Sequence, residues 1–169
     1  MKMINLGKKA KAMATADVLL AFVQSWELHG GDEMSVCSST LDILRAYLGD
    51  RPCCLWKAAG QSLAKVSERG MVEIVYAGKP ERQAALSRSL VTGSPEFDPC
   101  GVTITSDLKS DFDGFLHIPV KSHGQVHALL SLAANKKEAR DRDFVQPLES
   151  LGRLVAVALH HTKGRQETD

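Results

Sequence analysis

Six histidines and four cysteines are the side chains of this 169-residue chain best suited to ligate a metal or attack a substrate at neutral pH. Three of the histidines, His117, His123 and His127, fall in one stretch, GFLHIPVKSHGQVHALLSLAAN (residues 114–135), in which two apolar runs flank a polar turn. His123-Gly124 has the composition of a tight hairpin turn, where glycine supplies a positive φ. A two-residue turn there sets His117 opposite Leu130 and His127 opposite Val120, so the two rings point to different faces and do not converge on an ion. His123 reads as a turn residue, and His117 stays as a pocket candidate. The cysteines, Cys37, Cys53, Cys54 and Cys100, form no CxxC and have no histidine at zinc-ligand spacing. Neighbours on a strand point to opposite faces, so Cys53 and Cys54 read as buried free thiols. Cys100 has no His, Lys or Arg within five residues to lower its pKa.

No other catalytic pattern stands out. GxxxxGK[ST], GxGxxG and GxSxG are absent, and the serines of SVCSST suit helix capping better than nucleophilic attack. Aromatic residues make up only 5% of the chain, so the position of each matters. Trp56 and Tyr76 on strands, Phe97 in the EFDPC loop, and Phe112 and Phe115 beside the next turn could wall a ligand cavity together with Cys100 and His117. No residue of the sequence stands out as catalytic or metal-ligating, and no cofactor is identified.

The elements that must position these residues follow from periodicity. Leu19, Phe22, Val23 and Trp26 recur at helical spacing over residues 14–28. A second helix is predicted from an N-cap at Ser35, with Ile43, Leu44, Tyr47 and Leu48 inward and a stop at Gly49. Short strands follow at residues 53–58, 63–67 and 71–76, then a helix over residues 81–90 opened by Pro80. The irregular EFDPC leads to a strand GVTITS, the polar loop DLKSDFDG and the hairpin 115–121/125–133. A closing helix is predicted over residues 143–162, with Phe144, Leu148, Leu151, Val155 and Ala158 on one face and a frayed polar tail after it. Leu154, Val157 and Leu159 widen its stripe beyond what one sheet face covers, which predicts a homodimer with Trp26, Leu154 and Val157 at the interface. The division is an extension with a helix (1–34), one domain (35–162) and a tail (163–169).

Composition narrows the function classes. With 21 Lys plus Arg against 20 Asp plus Glu, the net charge of +1 gives no field to attract nucleic acid or an anionic membrane. No apolar run is long enough for a membrane span, and the start lacks the apolar segment of a secretory signal, so a cytoplasmic chain is expected.

In order and wording, FLHIPV, the turn KSHG, QVHALLSLAANK and RDFVQPLESLGRLVAVAL resemble a GAF domain. The likeness spans roughly residues 35–161 and is strongest from Phe115 onward. It implies an α+β fold: a central antiparallel sheet with N- and C-terminal helices packed on one face, and a small-molecule pocket on the other. It also implies a sensory module that reports ligand state through paired helices to an output domain or partner. The cyclic-nucleotide NKFDE pattern is only partly present, because Asn135, Lys136 and Phe144 are followed by Leu148-Glu149 where Asp-Glu is needed. The Cys-His step of bilin attachment is absent. Two alternatives stay open: a thiol-dependent redox enzyme of the free methionine sulfoxide reductase type using Cys100, and a dimerisation module with no ligand.

Overall fold

A computed structural model describes residues 15–29, 32–49, 51–59, 62–69, 80–99 and 112–168. The predicted strands 71–76 and GVTITS, and with them Tyr76 and Cys100, lie outside the described residues.

The chain opens with α1 (Thr15–His29) and α2 (Glu33–Leu48). The buried stripe of α1 centres on Val18 and Phe22, with Leu19 and Trp26 beside them and Val23 only half-buried. The cap of α2 is Asp32 rather than Ser35: its carboxylate accepts from the Ser35 N–H at 2.6 Å, so Ser35 is the donor one turn in. Gly49, with φ +81°, ends the helix in a conformation that side chains with a Cβ disfavour.

Strands β1 (Cys53–Ala59) and β2 (Ser62–Arg69) form a hairpin, followed by α3 (Pro80–Thr92), where proline takes the first helical position. EFDPC, read from sequence as irregular, contains a short strand β3 (Glu96–Asp98). Strands β4 (Gly114–Ser122) and β5 (Gln125–Ala134) are joined by His123 and Gly124, both at positive φ (51° and 76°), the geometry that suits a two-residue hairpin. A five-residue helix α4 (Lys136–Arg140) precedes α5 (Arg142–Thr168), which carries Pro147 inside it and runs on through the stretch expected to fray.

Among the described residues the sheet has five strands in the order β2-β1-β5-β4-β3, every pairing antiparallel. Side chains alternate between its faces. Leu55, Leu116, Ile118, Val120, Leu130 and Leu132 face α1, α2 and α5, where they meet Phe22, Leu41, Leu44, Leu148, Leu151 and Val155 in the main core. The closing helix lies close on β4: a Cβ built at Gly152 would sit 3.0 Å from the Pro119 carbonyl oxygen.

The hairpin register differs from the expected one. Lys121 pairs with Val126 but Val120 pairs with Ala128, which leaves His127 as an extra, bulged residue. Every pairing beyond it shifts by one, so His117 lies opposite Ser131 instead of Leu130. The two histidines still face apart. The His127 ring lies 6.5 Å from that of His160 on α5, whereas His117 points to the other side of the sheet.

Candidate functional site

The sheet face turned away from the main core carries different chemistry. Cys54 on β1, Ser131 on β5 and His117 on β4 stand directly opposite one another across three strands. Alternation adds Trp56 and Leu129 on one side of this row, and Phe115 with Asp98 of β3 on the other. Helix α3 covers part of the face through Leu86 and Leu90, which pack with Cys54, Trp56 and Leu129. Its Ser89 donates to the Ser94 carbonyl oxygen at 2.9 Å and so closes the end of the helix.

The centre of the face is a polar cluster. The Trp56 indole N–H donates to Ser131 Oγ at 3.0 Å, and Ser131 Oγ lies 2.6 Å from His117 Nδ1. An indole nitrogen can only donate, so the serine oxygen accepts from it, and the direction of the Ser131–His117 bond follows the tautomer of the ring. His117 and Ser131 are fully buried and Asp98 is 3% exposed. Burial pushes the His117 pKa down to about 4, against the opposing pull of the Asp98 carboxylate. At neutral pH the ring is therefore an uncharged hydrogen-bonding group.

Of the residues expected to wall a pocket, the structure brings together Trp56, Phe115 and His117. It does not bring Phe97 to them. Phe97 pairs with Leu116 and packs against the main core on the opposite face, because a strand, not a loop, fixes its direction. Ser131, Asp98 and Cys54 were missed. Strand parity would have found Ser131 only with the bulge at His127 known.

The cysteines inside this framework are buried, and burial pushes the Cys37 thiol up to about 12, further from a reactive thiolate. Among the described residues, no three His, Cys, Asp or Glu side chains form a group able to hold a metal ion. No described helix is long and apolar enough to cross a membrane.

The expected interface residues divide. Trp26 packs edge-on against His161 within the same chain, with ring centroids 6.0 Å apart. Leu159 is buried and Leu154 packs on the main core, so neither forms the unpartnered apolar surface that sequence counting assigned to them. Val157 is 51% exposed, as is Leu20 of α1 at 57%.

The sequence profile of the GAF domain matches residues 32–159, most of the chain. The chain belongs to the GAF domain family. Solved GAF domains agree with it in fold. The GAF domain of a phosphoenolpyruvate-protein phosphotransferase from Coxiella burnetii superposes with a TM-score of 0.66 at 13% identity, over 92% of this chain and 98% of its own. The GAF domain of the potassium sensor histidine kinase KdpD from Escherichia coli does so with a TM-score of 0.57 at 14% identity, over 93% and 98%. The fRMsr of Staphylococcus aureus, solved in complex with substrate, has a TM-score of 0.61 at 12% identity, over 85% and 95%. No curated protein matches the chain. GAF domains are a regulatory and sensory fold, and the fRMsr likeness means that the fold alone does not exclude an enzyme.

Proposed function

We propose that this GAF domain senses a small molecule on the sheet face that carries Trp56, Ser131 and His117, and passes its bound state on through α1 and α5. The observation that carries this reading is the buried polar cluster on a face that packing alone would fill with apolar side chains. A neutral imidazole, a hydroxyl, an indole N–H and the nearby Asp98 carboxylate offer directional hydrogen bonding, while Leu86, Leu90 and Phe115 offer apolar surface. The sequence adds Tyr76 and Cys100, outside the described residues, as candidates for the same lining. The domain acts in the cytoplasm beside an output domain or partner protein, and it pairs with a second copy across the outer seam of α1 and α5, where Leu20, Val157 and the half-buried Trp26 lie.

Native mass spectrometry of gently purified protein tests both parts. The expected result is a dimer carrying a co-purifying mass that Trp56→Ala and His117→Ala each lose. A bare chain from several expression hosts, with no thermal shift across a metabolite library, would overturn the sensing claim. A single species near 18.4 kDa at micromolar concentration would overturn the pairing. The likeness to fRMsr supports a second reading, a thiol-dependent enzyme. Turnover abolished by Cys100→Ser would establish that reading in place of the first.

A further inference from the structure

Helix α4 fully buries no side chain, and its apolar contact with the main core comes from the partly buried Ala139 where it stands between the sheet and the closing helix. Its other restraints are polar. Asn135 and Glu138 form a reciprocal capping box, and the Asp113 carboxylate accepts from the Lys136 N–H at 3.0 Å. The Glu138 carboxylate also receives two parallel bonds from the Arg51 guanidinium, each 3.1 Å. The Arg51 side chain is only 9% exposed and also bonds two backbone carbonyl oxygens, that of Ala133 on β5 at 3.1 Å and, more loosely, that of Leu48 at the end of α2.

The same guanidinium lies 4.9 Å from the ring centre of Phe112 and 5.4 Å from that of Phe144. Phe112 stands three residues before Phe115 on the proposed ligand face, and Phe144 lies in the first turn of α5. The α5 backbone begins from α4, since the Phe144 and Val145 N–H groups both donate to the Asp141 carbonyl oxygen. We infer that Arg51 couples the chain entering β4 to the start of α5, so that disturbance at Phe112 reaches the closing helix through the guanidinium and α4. A planar fork that must satisfy Glu138, Ala133 and two ring faces together has few alternative positions, and a shift of either ring changes the environment of one buried cation. This coupling stands whether or not a ligand binds.

Hydrogen exchange on the full chain tests it with four proteins: wild type, Phe112→Ala, Arg51→Met and the double variant. With Arg51 present, Phe112→Ala speeds exchange of the α5 amides from Val145 to Ser150 about fivefold, the scale of one lost cation–π contact. On the Arg51→Met background the same change has less than about a twofold effect. The β1 amides of residues 53–57 serve as a control and do not respond to Phe112→Ala in either background. Equal factors in both backgrounds, no response of α5 with Arg51 present, or an equal response in β1 would each overturn the coupling. If Arg51→Met fails to fold, Arg51→Lys keeps the charge without the planar fork, and the same outcomes decide.

Discussion

His117 makes the stability of this domain depend on pH in a window that carboxylates alone do not set. Unfolded, the imidazole titrates near its ordinary 6.5; folded, burial holds it down to about 4. Between those values the unfolded chain binds a proton that the folded chain refuses, so stability falls as pH drops through the window and is fully present above it. The interval from 6.5 to about 4, at about 1.4 kcal/mol for each pH unit, amounts to about 3 kcal/mol. That is a sizeable share of the roughly 5 to 15 kcal/mol that holds a domain together.

Every other titrating group contributes to the raw curve, so the measurement is a difference. His117→Asn keeps an amide near the Nδ1 position that can donate to or accept from Ser131 but removes the titrating ring. Urea unfolding of both proteins from pH 7.5 to pH 4, followed by tryptophan fluorescence, gives the two stabilities at each pH. The wild type should lose up to about 3 kcal/mol more than the variant across this range, with most of the divergence below pH 6.5. Parallel curves would refute the reasoning, because they would mean that His117 takes up its proton while folded.

Ser131→Ala removes the oxygen that accepts from Trp56 and bonds His117 at full burial, and should cost about 2 to 4 kcal/mol by urea titration. A loss under about 1 kcal/mol would mean that water reaches the cluster. Gly152→Val places a branched side chain where even a Cβ meets Pro119 O at 3.0 Å, so a net loss of about 1 to 3 kcal/mol is expected despite the better helix propensity. An unchanged melting midpoint would mean that α5 is free to shift on β4.

The long elements were legible because their signals are redundant. In α2 a helical stripe ends at a glycine, and in the β4–β5 hairpin two apolar runs flank a His-Gly turn. The rest failed for separable reasons. Three residues cannot display alternation, so β3 reads as loop in the sequence and offers no strand parity to show that Phe97 turns toward the main core. Asp32 and Ser35 are both good N-caps three residues apart, and composition alone did not choose between them. The capping box of α4 was written in the sequence as Asn135 and Glu138, but a five-residue helix without an apolar stripe gives periodicity nothing to detect. The bulge at His127 carries no composition signal, yet it decides that His117 meets Ser131. Leu154 and Leu159 looked surplus because sequence counting gave the closing helix one sheet face to cover, whereas it also packs against α1 and α2.

The route from the polar face to the closing helix is short because one strand serves both. On β4, His117 faces the cluster with Ser131, while Leu116, Ile118 and Val120 face the main core. Two residues beyond His117, the Pro119 carbonyl oxygen is the atom that a Cβ at Gly152 would meet, at a distance already tighter than ordinary contact. A strand is stiff over two residues, and a close-packed contact transmits displacement instead of absorbing it. On the proposed sensing role, a ligand that displaces the β4 backbone at His117 would carry Pro119 with it. The absent side chain at Gly152 lets the helix sit close enough to feel that movement. Arg51 reaches the same helix at its first turn, through Phe144 and α4, so β4 and the junction before it act on α5 at separate points. Displacements at two separated points can tilt a helix, whereas a displacement at one point alone leaves its direction unconstrained. On the proposed sensing role, events on the polar face would change the angle of α5 against the sheet.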